Sequence, residues 1–197
     1  MWNHGAMDTL DLLLHPVRLR IVHAMSGGHA RTTSDLCAHL ADVPKTTVYR
    51  HVGLLAEAGV LEVVDEQRVH GAVERHYRLR RERAVIDAGA AASMSLDDHR
   101  HGFTAAMAAL LAEFNAYLDR EHADPTADSV SYRQFVLWLN QHELAELISD
   151  LVSAVMSKIE NQPASDRSPY LMSTILFPDK PPKHSDDQQT GVEPSPI

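Results

Sequence analysis

The chain has 197 residues, 44% of them hydrophobic, and a single cysteine. That allows one large or two small packed domains, and it excludes an internal disulfide framework and a cysteine-only zinc site. The formal net charge of −9 argues against wholesale attraction to nucleic acid, but the charge is unevenly placed. Residues 1–80 hold nine Lys/Arg against nine Asp/Glu, whereas residues 81–197 hold nine against eighteen. The neutral first half can approach phosphate; the acidic second half weakens non-specific DNA binding. With no charged-then-apolar leader and no apolar run of about 20 residues, a soluble cytoplasmic protein without a membrane partner is expected.

Residues 1–9 carry no clear signal, and Asp8 to Leu14 suits a short apolar helix. In His15 to Met25, Pro16 fits the first helical position, and Val17, Ile21 and Ala24 or Met25 recur at helical spacing. Ser26-Gly27-Gly28 stops that helix. Thr32-Thr33-Ser34-Asp35 supplies caps for a second helix through Leu36, Ala38 and Leu40, and Ala41-Asp42-Val43 makes a turn. From Pro44 to Gly59 the chain then splits into two helical faces. Val48, Val52 and Leu55 form an apolar stripe, while Thr46, Tyr49, Arg50 and Gly53 form a polar one. Pro44 suits the first turn and Gly59 the stop.

Three short helices with a tight turn before the last describe a helix-turn-helix. The polar face presents hydroxyls and a guanidinium, which suits a flat anionic partner. Arg50 is placed to meet a guanine edge or a phosphate, Thr46 and Tyr49 bases or backbone, and Lys45 phosphate, with Thr47 beside them. His51 reads as a helix-packing or phosphate-side residue. Beyond Gly59 the period changes. Val60 to Val64 and Glu74 to Leu79 are β-prone, and Asp65 to Ala72 between them reads as a long polar tip, so a hairpin follows. Arg68 and His70 on that tip could reach phosphates or a minor groove.

Three pieces together carry a resemblance: His15-Pro16-Val17-Arg18-Leu19-Arg20-Ile21, then Thr47 to Val52 with Leu54 to Leu61, then Glu74 to Leu79. Residues 10–80 resemble the winged-helix domain of the bacterial arsenical-resistance-repressor (ArsR) superfamily. The resemblance implies a dimeric transcription regulator that places the helix beginning near Lys45 in the major groove of DNA. Metal-sensing members carry paired cysteines on the second helix; here that helix reads Ser34-Asp35-Leu36-Cys37-Ala38-His39-Leu40. One thiol and one imidazole cannot complete a tetrahedral site by themselves, so a non-metal-sensing type is expected.

The second half opens on the charged connector Arg80 to Arg83 and an alanine-rich run to Ser95. Leu96 to Glu121 reads as one long helix. Phe103, Met107, Leu110, Phe114 and Tyr117 recur along it at near-heptad spacing, which favours a dimer interface over an intramolecular core. Val130 to Leu139 and Tyr170 to Phe177 are β-prone. Between them Asn140 and Glu143 have capping-box spacing, and Leu144, Leu147, Ile148, Leu151, Val155 and Ile159 make the apolar face of a helix. From Pro178 the composition is that of a disordered tail.

The expected domains are a winged helix-turn-helix over residues 1–83, a dimerisation or effector module over 84–177, and a tail over 178–197. The fold class is mainly α with small β, the C-terminal module being α+β. Trp138, Met156 and Met172, with Met107 and Phe114, are candidates to line a pocket for a small apolar effector, set against a plain core role. Thirteen histidines include no diagnostic ligand spacing: His99 and His101 point apart on a helix. Neither a metal nor another cofactor is expected. Cys37 reads as a small buried hydrophobe. No nucleophile motif, phosphate-binding glycine loop or diagnostic carboxylate pair is present, so an enzyme is not expected. The function expected is sequence-specific regulation of transcription by a homodimer, most simply a repressor. The rival is a winged helix that docks on protein, since residues 1–80 lack net positive charge.

Overall fold

The computed structural model describes residues 12–69, 71–85 and 88–179. Helix α1 (Pro16–Met25) begins where expected: His15 is its N-cap and accepts from the Val17 N–H through its own Nδ1. A two-residue strand β1 (Arg31–Thr32) leads into α2 (Thr33–His39). Thr32 and Asp35 form a reciprocal capping box there, with bonds of 3.1 and 2.8 Å. Leu36, Cys37 and Leu40 supply the buried side of this segment, while Ala38 is exposed, because the core lies at spacings of one and four rather than two. Helix α3 (Lys45–Glu57) follows the turn, with Pro44 outside it as the N-cap rather than in its first turn.

Val48, Val52 and Leu55 of α3 join Ile21, Met25, Leu36, Leu40, Val60 and Leu61 in one core, with Leu12 and Leu13 beneath. Residues 8–11 of the short apolar helix expected before α1 lie outside the described residues. Gly59 has a φ of +72°, the left-handed turn that ends α3 and that a side chain resists. Gly59→Ala should lower stability by about 1 kcal/mol. Gly53→Ala should not, since a Cβ there meets nothing within 4 Å. Urea-unfolding midpoints of the two variants check the contrast.

Strands β2 (Leu61–Val69) and β3 (Ala72–Leu79) form the hairpin, and β1 adds to the far side of β3, giving the antiparallel order β1-β3-β2. The eight-residue tip expected from sequence is a correction: pairing continues to Val69 opposite Ala72. Polar residues form ladder here because the ribbon is solvated and its cross-strand pairs compensate one another, as Arg75 does with Glu66 at 2.8 Å. The register slips between Val63 and Asp65, a bulge that bends the ribbon. Gly71 turns with a φ of +85°; His70 lies outside the described residues.

After a 3-10 turn (Arg81–Arg83) and the short α4 (Ala88–Ser93), α5 runs from Leu96 to Leu118, capped by Ser95 and Asp98. It packs on α1, and its inward face is small: Ala105 and Ala109 are buried, and a Cβ added to Gly102 would come within 2.9 Å of Leu14. Residues 12–130 and 160–169 lie in one compact unit, and residues 131–159 and 170–179 in a second. The second contains α6 (Gln141–Ile159), capped by Asn140 and Glu143 as expected, with bonds of 3.0 and 2.8 Å. The strands expected over 130–139 and 170–177 are not formed. A strand requires a paired neighbour along its length, and among the described residues neither segment has a ladder partner; Val130 bonds only the nearby Pro125 carbonyl.

Candidate nucleic-acid interface

Burial of one side of α3 decides what the other side presents. Val48, Val52 and Leu55 are pinned in the core, so Lys45, Thr46, Tyr49 and Arg50 all face solvent and Thr47 is half-buried at the margin. Tyr49 is 55% exposed, a large exposure for an aromatic ring on a well-packed helix. Between α2 and α3 runs an open groove of about 180 Å³, lined by Ser34, Cys37, Ala38, Lys45 and Tyr49. The sequence-derived polar face is therefore brought together on one continuous surface.

Behind that surface stands a cluster of rings and cations. His51 is only 2% exposed, and its ring lies 4.5 Å from that of His15. An Arg50 Nη2 sits 3.3 Å from His51 Nε2, which makes the ring nitrogen the acceptor and the imidazole neutral. Burial first, then His15, Arg50 and Arg18, push the His51 pKa down to about 4. His15 is lowered in the same way, chiefly by burial and next by Arg18. Of the two roles open to His51, packing is the one its burial supports, because a phosphate contact needs an accessible, protonated ring. Apolar periodicity carries no sign that His15 and Arg18 join this cluster. Its signal was their three-residue spacing, one helical turn, at the start of α1.

Arg68 near the far end of β2 is exposed, whereas Arg75 and Arg80 of the hairpin are paired with Glu66 and Glu62 at 2.8 and 2.9 Å. On α5, Phe103 is half exposed, Met107, Leu110, Phe114 and Tyr117 are partly covered, and Phe114 stacks on Tyr117 at 6.0 Å. The Tyr117 hydroxyl donates to Asp128 at 2.7 Å. This aromatic seam is not the face that meets α1. Met107 and Phe114 belong to the first unit; Trp138, Met156 and Met172 belong to the second, where all three are exposed. Cys37 is buried, and no group of three or more His, Cys, Asp or Glu side chains among the described residues is arranged to hold a metal ion. No described helix is long and apolar enough to cross a membrane.

Comparison with known protein families matches residues 13–64 with a family described as a helix-turn-helix domain. No curated protein matches the chain. The matched span runs from just before α1 into β2, so it takes in most of the core, the turn and the whole of α3. The N-terminal part is a winged helix-turn-helix domain, consistent in general with a DNA-binding regulatory protein.

Proposed function

We propose that the chain is a sequence-specific, double-stranded-DNA-binding transcriptional regulator of the arsenical-resistance-repressor type, acting as a homodimeric repressor. The observation that carries this reading is the division of α3: one side wholly buried, the other a continuous polar surface of Lys45, Thr46, Tyr49 and Arg50. Such a helix enters the major groove with guanidinium and hydroxyl groups toward base edges, while Thr47 and Arg68 lie toward the backbone. The balanced charge of residues 1–80 does not oppose it, because several acids there are compensated in place. Asp42, in the turn just before α3, is bound by Arg20 at 2.6 Å. In this reading the seam of Phe103, Met107, Leu110, Phe114 and Tyr117, partly covered within the chain, packs along a second copy, which gives two half-sites about one helical turn apart. An apolar effector held by Trp138, Met156 and Met172 has less support, since these side chains stand on open surface.

Selection of duplexes from a random pool, followed by titration of the enriched duplex over a range of salt, tests the proposal. Arg50→Ala should weaken binding to the enriched duplex by about 1–3 kcal/mol, roughly tenfold or more, with the fold unchanged by circular dichroism. Affinity for wild type should fall steeply with salt. If no duplex is enriched, the winged helix is a protein-docking module. Equal affinities of Arg50→Ala and wild type would remove this face from recognition.

A further inference from the structure

Among its described residues the second unit has no buried core. Of the described residues in 131–159 and 170–179, none is buried; Leu147 and Leu151 are the most covered, and Leu144, Val155 and Leu139 are still 37, 38 and 39% exposed. Yet the composition is that of a protein interior. Phe135-Val136-Leu137-Trp138-Leu139 is a continuous apolar run, the pattern of a strand covered on both faces. Tyr132 is 83% exposed and Trp138 79%. Tyr170 to Phe177, which follows α6 in the chain, is similarly rich in apolar residues, with Tyr170, Met172 and Phe177 exposed. Along α6 itself, Ile148, Val152, Val155, Met156 and Ile159 line one broad apolar face, all exposed. The two flanking segments also leave their backbone groups without ladder partners among the described residues.

We propose that this unit is a dimerisation module that is completed only by the same unit of a second copy, through pairing of segments 131–139 and 170–177 between chains and packing of the α6 faces. The inference deepens the homodimeric reading above and rests on it for the choice of occupant. Area is the first argument. The exposed apolar side chains of the unit present on the order of 2,000 Å² per chain, several times the largest patch of an ordinary monomer. Two copies would bury up to about 4,000 Å² in total, within the range of obligate homodimers. Size is the second: a segment of this length rarely holds a fold without metal, disulfide or oligomerisation. Charge then discriminates among occupants. His142, Glu143, Glu146 and Asp150 lie off the apolar face, and Lys158 is on its C-terminal end beside Leu151 and Val155, so two identical faces that meet antiparallel keep the acids out and the two Lys158 apart. A membrane surface fits poorly, because the polar side of α6 is mainly acidic where anionic lipid asks for Lys and Arg.

Sedimentation equilibrium and hydrogen exchange on the full chain, without DNA, test the proposal. The wild-type chain should sediment as a dimer at micromolar concentration, with the amides of 131–139 and 170–177 protected. The double variant Val152→Asp/Met156→Asp should raise the dissociation constant at least about a hundredfold and bring those amides to free-chain exchange rates. The amides of α3, β2 and β3 should stay protected, which separates loss of the module from loss of the fold. Trp138→Gln, with no added charge, should act in the same direction. A monomeric wild-type chain, a dimer in which 131–139 exchange freely, or a double variant that keeps both dimer and protection would overturn the proposal. Arg50→Ala should remain dimeric, so failure of DNA recognition and failure of this module are read separately.

Discussion

Arg20→Ala should lower the stability of the first unit by about 3–5 kcal/mol and loosen α5 from α1. Arg20 is only 3% exposed. It is held on both sides: Nη1 and Nη2 donate to the two oxygens of Asp42 at 2.6 and 2.9 Å, and Nε donates to Glu113 at 2.7 Å. One side chain of α1 thereby ties down the turn before α3 and the far part of α5. Its removal leaves Glu113, at 17% side-chain exposure, with a charge that solvent reaches poorly. Asp42→Ala should cost less, since the carboxylate removed is 57% exposed and Arg20 keeps Glu113 as its partner. Arg20→Lys should fall between, because an ammonium cannot reproduce the fork that serves two acids. Replacing the pair together, Arg20→Met with Glu113→Leu, should recover much of the loss, as apolar replacement of buried ions commonly does. Urea midpoints for the four variants decide it. A loss below about 1 kcal/mol for Arg20→Ala would show that the network carries little of the helix packing.

The same residue shows where sequence reading stopped. Apolar spacing at Val17, Ile21 and Met25, and at Val48, Val52 and Leu55, was enough to place α1 and α3, because those residues meet a single shared core. Arg18 and Arg20 were indistinguishable from surface cations. Their burial depends on partners as distant as Glu113, 93 residues along the chain. The face of α5 that packs inward was also hidden. Gly102, Ala105 and Ala109 give a weak apolar signal beside Phe103, Phe114 and Tyr117, yet small residues let helices approach closely. The polar face of α3 was legible, but not the ring cluster behind it, since His15 and His51 are brought together only by the crossing of two helices. At 130–139 and 170–177 the residues have strand propensity, and propensity alone supplies no neighbour to bond with.

That ring cluster sets an acid sensitivity whose sign can be worked out. His51 is neutral and buried, with a folded pKa of about 4 against an ordinary value of 6.5. The unfolded chain therefore binds the proton more readily than the folded one. Stability from this group is fully present above about pH 6.5 and is lost progressively as pH falls toward 4, up to about 3 kcal/mol. His15, His23 and His39 are lowered in the same direction, each chiefly by burial, so they add to the loss. Asp35 and Asp42 are held below the usual carboxylate value of 3.8 by bonds to Thr32 and Arg20, and their contribution disappears only at still lower pH. Urea midpoints between pH 7.5 and about 4.5 thus isolate the histidines. His51→Gln, which fills the same space without a titrating ring, should flatten the profile. The DNA readout has its own sign. Were His51 a phosphate contact, affinity for the enriched duplex would rise as pH falls through 6.5, because the imidazolium would gain an anion. A buried neutral ring gives no such rise, and a tighter complex at pH 6 than at pH 7.5 that His51→Gln abolishes would return His51 to the interface.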